Sequence, residues 1–301
     1  MTRPQSHPLA GMALGFVGVV IFGATLPMTK LALAGFDPAF LTFARALIAS
    51  SIAIFALLAL RRKPPVAELG SIAVAGGLLV FGFPGFSSIA MQTVPAAHGG
   101  VVLGILPLMT AVFAATLGGE RPGLLFWTLS LIGAALVIVF TFVTSTPTGN
   151  QTVSMGDIWL GCAGLAAACG YVLFGRLSRT LPGWEVIAWA LIVTMPMSLA
   201  GTAWTWRTGI HAPGATEFAA LGYLGAGSMF LGFVFWNAGL AIGGIARVGQ
   251  VQLLQAFITL GLSALLLGEA ITTAMIGFAI AVGFVVWLGR KARISDAIRP
   301  S

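Results

Sequence analysis

The residues of this chain that have chemistry to offer are few, and most of them lie inside long apolar stretches. Gln252, Gln255, Thr259 and Ser263 recur at a spacing that places them on one helix face, with Gln250 pointing away. Amides donate to a carboxylate and accept from an ammonium group, a pairing that suits a zwitterion. The same stripe also reads as interhelical hydrogen-bonding glue. Tyr171 stands in the middle of another apolar stretch, where its hydroxyl needs a partner and its ring can stack on an aromatic ligand. Ser88 and Gln92 are four apart and share a face, and His98 opens the following stretch as a structural residue or a proton relay. Asn237, beside Trp236, is either a binding residue or an interfacial anchor. The candidate binding set is therefore Tyr171 for stacking and Gln252 and Gln255 for polar ends, with Ser88, Gln92 and His98 as the opposing wall or outer gate and Asn237 as a further candidate.

Charged residues narrow the chemistry further. Arg45 lies within an apolar stretch, where a charge costs roughly 2.5 to 3.5 kcal/mol on insertion scales unless it snorkels, bonds to carbonyls, or meets a ligand carboxylate. Glu120 and Glu269 stand just before the last helices of the two halves, where capping with a favourable dipole accounts for both. Every carboxylate falls in a loop or at a stretch end, so no acidic group for proton coupling is visible in the interior. The lysines, Lys30, Lys63 and Lys291, close no glycine-rich phosphate loop, which excludes ATP hydrolysis. Cys162 and Cys169 read as small packing residues, and no cofactor or metal is implied. A membrane enzyme would need a nucleophile and base, for which His98 with Ser87 or Ser88 is the single conceivable dyad.

The elements that must hold these residues follow from composition. Apolar residues make up 58% of 301, charged residues 8%, and the mean hydropathy is +1.02. No soluble globule has this balance. Stretches of about 20 apolar residues predict ten spans, at 9–31, 39–60, 71–91, 99–117, 123–143, 158–175, 186–206, 218–241, 248–267 and 271–288. With the N-terminus inside, twelve of the fifteen Lys and Arg fall on the cytoplasmic side, Lys30 and Arg207 fall outside, and Arg45 lies in a span. Positive charge marks cytoplasmic loops, so both termini are expected inside. The net charge of +7 then reflects topology and contact with the lipid bilayer, with no nucleic acid and no obligatory protein partner implied.

The polar stretch 144–156 divides the spans into five and five, which forces opposite orientations on the two halves. A shift of 149 positions aligns Leu117-Gly118-Gly119-Glu120 with Leu266-Leu267-Gly268-Glu269, Gly15 with Gly164, Phe22 with Tyr171, and Gly76 with Gly225. Inverted repeats of this kind place substrate sites between the halves. Glycine and proline mark the third span (Gly76, Gly77, Gly82, Pro84, Gly85), and glycine marks the eighth (Gly222, Gly225, Gly227, Gly232), as gates or as close packing points.

Phe43-Ala44-Arg45-Ala46-Leu47-Ile48-Ala49 resembles the arginine-containing signature of EamA-type members of the drug/metabolite transporter superfamily. Ile105-Leu106-Pro107 with Leu117-Gly118-Gly119-Glu120-Arg121 and Gly133 resembles the end of one EamA repeat, and Leu267-Gly268-Glu269 with Gly277 the end of the other. The resemblance implies an all-α integral membrane fold of ten helices in two inverted five-helix repeats, 9–143 and 157–290, with a periplasmic linker 144–156 and a cytoplasmic tail 291–301. The proline of the family pattern is Pro107 in the first repeat, whereas the second has Gln255-Ala256, so equal bending of the halves does not follow. In overall character the chain is most similar to YddG-type exporters. That likeness implies a bacterial inner-membrane secondary transporter exporting aromatic and other neutral amino acids by alternating access through a central cavity. Export of drugs or other amphipathic metabolites is the alternative. The absence of an acidic residue in the first span argues against the cationic-drug exchange of small multidrug members.

Overall fold

The computed structural model describes residues 8–118, 121–144, 154–243, 251–291 and 294–295. Each apolar stretch is helical over its described part. Pro8–Gly23 (α1) continues as Thr25–Ala32 (α2), and Pro38–Ala59 forms α3. The third stretch is composite: Leu69–Gly76 (α4), a π-helical segment Gly77–Gly82, and Phe83–Ala90 (α5). The fourth is Ala96–Val102 (α6), a 3₁₀ turn Leu103–Ile105, and Leu106–Gly118 (α7), followed by Leu124–Thr144 (α8). In the second half Met155–Leu177 (α9) and Gly183–Thr205 (α10) are continuous. Ala215–Gly222 (α11) passes through a π segment, Tyr223–Leu231, into Gly232–Gly243 (α12). A 3₁₀ turn Gln252–Leu254 leads into Gln255–Leu267 (α13), and Thr273–Lys291 is α14. Among the described residues seven helical spans are long and apolar enough to cross a membrane, and the apolar stretches Trp127–Phe140, Gln252–Leu267 and Thr273–Leu288 are shorter. Two residues of extended chain, Arg121–Pro122 (β1) and Ile294–Ser295 (β2), pair antiparallel. Glu120 and Gln250 lie outside the described residues, as do most of the linker and the tail.

The two halves interrupt their helices at equivalent places. The 3₁₀ turns at 103–105 and 252–254 are 149 positions apart, and the π segments overlap under the same shift. The second half therefore bends where the first does, although Ala256 stands in place of Pro107. In the third stretch Pro84, two residues beyond the wide turn, has no N–H to return to the preceding turn. In the eighth, glycines stand within and beside the wide turn. Wide turns of this kind occur mostly where function needs them.

Packing repeats the same exchange. α1 lies along α12, and α5 along α9, which are equivalent pairings when the halves are swapped; α3 against α10 and α8 against α14 map onto themselves. Two glycines make close crossings at equivalent positions. A Cβ on Gly76 would stand 3.1 Å from Thr194 Cγ2 and 3.3 Å from Ala190 O; one on Gly225 would stand 2.8 Å from Ile48 Cβ and 3.0 Å from Arg45 O. Thr194 and Arg45 are themselves 149 apart, so each half lays a glycine on the other half's equivalent helix.

Helix ends are tied across the bundle. Ser154 and Asp157 form a capping box on α9. Glu269 is a cap, but of α6 rather than of the helix that follows it: its two oxygens accept from Ala96 N at 2.9 Å and Ala97 N at 2.8 Å. Lys30 Nζ donates to Val94 O, and Asp37 meets His211, which gathers these loops on one face. On the other face Arg62 pairs with Glu185 at 3.2 Å and Asn237 Nδ2 donates to Gly183 O at 3.0 Å. Because Gly225 has no room for a side chain against α3, Gly225→Leu should cost about 1–3 kcal/mol. A lowered thermal unfolding midpoint of the purified protein checks this, and an unchanged midpoint would refute the crossing.

Candidate functional site

A cavity opens between the halves where the irregular turns meet. It is lined by Phe22, Thr25, Arg45, Leu79, Phe83, Pro84, Leu103, Leu106, Tyr171, Ser228, Met229, Phe233 and Gln255. Four pairs of these residues are 149 positions apart: Phe22 with Tyr171, Leu79 with Ser228, Pro84 with Phe233, and Leu106 with Gln255. The cavity thus lies on the pseudo-symmetry axis, with both π segments contributing wall residues. In three of the pairs the second half supplies the polar member.

Four aromatic rings, Phe22, Phe83, Tyr171 and Phe233, stand in the wall. Phe22 meets Phe233 edge-on at 5.1 Å, and Tyr171 lies tilted at 6.4 Å from the same ring. Tyr223, in the second π segment, donates to Ile21 O at 2.8 Å and fixes α1 against it. Pro27 has no N–H to offer Gly23 O, and Thr259 Oγ1 donates to that carbonyl instead at 2.8 Å. Thr259 is thereby interhelical glue, while Gln255, one turn earlier, faces the cavity.

Arg45 is the charged group of the cavity. It is 2% exposed, so it does not snorkel. Its Nη2 approaches Ser228 Oγ at 3.3 Å, and Ser228 Oγ is 2.8 Å from Thr25 Oγ1. Nε and Nη1 have no hydrogen-bond partner, so the carbonyl-bonded arrangement is also not adopted. A buried guanidinium with two unpartnered nitrogens costs free energy that a ligand oxygen would recover.

The sequence-derived candidates divide by location. Tyr171 and Gln255 share the cavity with Arg45. Gln252 lines a neighbouring cavity between the fourth, ninth and tenth stretches, which also includes Gly100, Pro107, Gln255, Thr259 and Gly283. Ser88 is fully buried with an unpartnered hydroxyl, and Gln92 is exposed at the end of the third stretch. His98 is buried with Nε2 2.6 Å from Asp157 Oδ1 and its ring stacked on Phe140 at 4.8 Å. Ser87 Oγ donates to Pro84 O, so it does not join His98 in a dyad. Asn237 ties α12 to the start of α10. Ser88, Gln92, His98 and Asn237 do not line the cavity that holds Tyr171. Thr25, Ser228, Phe83 and Phe233 were not singled out from sequence.

Long apolar helices and an internal cavity on a pseudo-two-fold axis define a multi-pass membrane protein of the transporter class. The EamA-like transporter family model matches residues 9–146 and 154–290, and the chain belongs to that family. It is similar to the uncharacterized transporter YdeK of Bacillus subtilis (strain 168), 40% identical over 282 residues that cover 93% of this chain and 97% of YdeK. A solved crystal structure matches 93% of this chain and 98% of its own with a TM-score of 0.61 at 22% identity, a likeness of fold alone. The protein is a transporter and not an enzyme, and none of these relatives names a substrate. If His98 serves the Asp157 contact, His98→Ala should lower stability by about 1.5–3 kcal/mol and leave the apparent substrate KM unchanged. Thermal unfolding beside uptake kinetics reads both, and a raised KM at unchanged stability would return His98 to the site.

Proposed function

We propose that the protein is a secondary transporter that exports aromatic and other neutral amino acids, or similar small metabolites, through the cavity around Tyr171 and Gln255. The observation that carries the reading is the pairing of aromatic walls with a small polar cluster on the axis between two repeats. Ten spans with both termini in the cytoplasm, in a bacterial inner membrane, complete it. The loops containing Arg61, Arg62 and Lys63 and Arg179 share one face through Arg62 and Glu185, opposite the face of Lys30, Asp37 and His211, which supports that orientation.

Alternating access has a natural pivot here. Leu103, Leu106 and Gln255 line both cavities, and each stands in or beside a 3₁₀ turn. Displacing those turns joins or separates the two spaces. The reading also makes Gln255 a contact for the ligand's polar end. Gln255→Leu should therefore insert normally and reduce flux at least tenfold, about 1.4 kcal/mol of lost interaction. Flux of labelled tryptophan into liposomes bearing the purified protein, with and without a pH gradient and with an unrelated sugar as control, is the measurement. Saturable tryptophan flux supports the reading, and flux no greater than through empty liposomes rejects the amino-acid assignment.

A further inference from the structure

We propose that Arg45 is the carboxylate-binding residue of this cavity, so that the site selects a flat apolar body bearing one carboxylate, for which an ammonium group is dispensable. The inference rests on the reading of the cavity as the transport site and goes further in naming the group on the ligand that is recognised.

Arg45 is placed for this by its surroundings. It is 2% exposed and lines the cavity, with Nε and Nη1 unpartnered and Nη2 3.3 Å from Ser228 Oγ. A guanidinium offers its donors in a planar fork that fits two carboxylate oxygens. Among the described residues no Asp or Glu lines the cavity, so no acid there offsets the charge of Arg45. The complement of one buried cation and no acid is an anion. The apolar character of that anion follows from Phe22, Phe83, Phe233 and Tyr171, which line the same cavity as the guanidinium. An ammonium group would instead meet a like charge, with only neutral acceptors such as Gln255 and Thr25 to receive it.

The α3 backbone is clamped at this point. Gly225 of the second π segment lies against Arg45 O, so the residue that carries the charge is pinned to the segment that carries Ser228. The hydroxyl pair Thr25 and Ser228, 2.8 Å apart, then holds one guanidinium nitrogen and leaves the others to the ligand.

The test uses three indoles on the full-length purified protein: 3-(indol-3-yl)propionate, which has only the carboxylate, tryptophan, which has both groups, and tryptamine, which has only the ammonium. Binding is read as ligand-induced thermal stabilisation in detergent, and transport as competition with labelled tryptophan flux in liposomes. Indolepropionate and tryptophan should bind at least tenfold more tightly than tryptamine. Arg45→Gln should abolish that preference, and Arg45→Lys should keep it with weaker binding. Tryptamine binding as tightly as indolepropionate, or a folded Arg45→Gln with the preference intact, would overturn the assignment. Should Arg45→Gln not fold, the wild-type series and Arg45→Lys decide the matter. Carboxylate-selective stabilisation without flux leaves Arg45 assigned and removes the transport reading. Flux without carboxylate preference does the reverse, and a protein that neither binds nor carries any of the three overturns both.

Discussion

Inside a bilayer every backbone N–H and C=O has to find its partner within the protein, and this requirement governs where the chain can depart from plain helix. Two departures are each matched by a specific group. Pro27 leaves Gly23 O without its helical donor, and Thr259 supplies one from another helix. The buried amides at the start of α6, which have no helical acceptor, are taken by both oxygens of Glu269. Along α10 the hydroxyls of Thr194, Ser198, Thr202 and Thr205 turn back onto the carbonyl one turn earlier, so each of these four buried hydroxyls is satisfied. Both π segments and the 3₁₀ turn at 103–105 contribute to the cavity wall, through Leu79, Ser228 and Leu103. Irregular backbone and the cavity are thus two consequences of one rule.

What could be read from sequence is what depends on residue type alone. Helical stretches follow from runs of apolar residues, and their observed ends differ from expectation by a few residues. The glycines at 76–85 and 222–232 flagged the third and eighth stretches, and those are the two that carry π segments. Tyr171 stood out because a phenol at mid-span is unusual, and it lines the cavity. What could not be read depends on which distant side chain arrives opposite. His98 meets Asp157, 59 positions away, and nothing in either local pattern announces the other. Gln92 shares a helical face with Ser88 only if the helix continues, but the helix ends at Ala90 and leaves Gln92 exposed. Glu269 precedes the last helix in sequence yet caps α6 in space. The proline pattern left the bending of the second half open, and the 3₁₀ turn at 252–254 forms without a proline.

Arg45 shows the limit most clearly. Its depth along α3 is a property of sequence, and depth alone is compatible with snorkelling, carbonyl bonding or a ligand. The choice is made by Ser228, Thr25 and Gly225, all contributed by elements other than α3. Only the assembled bundle reveals that two of its nitrogens have no partner.

The deeper asymmetry is chemical rather than architectural. Exchange of the halves maps the cavity's scaffold onto itself, yet Phe22, Leu79 and Leu106 of the first half are answered by Tyr171, Ser228 and Gln255 of the second. The cation is likewise unmatched, since the position equivalent to Arg45 is Thr194, whose hydroxyl is engaged with Ala190 O. A symmetric cavity would bind a ligand equally well in two orientations. One that places its cation and its amide at inequivalent points favours a single orientation, because reversing the ligand would set its charged end against Phe22 and Leu79. Evolution from a duplicated five-helix unit explains the shared bends; substitution at four or five lining positions is then sufficient to give the shared cavity a direction.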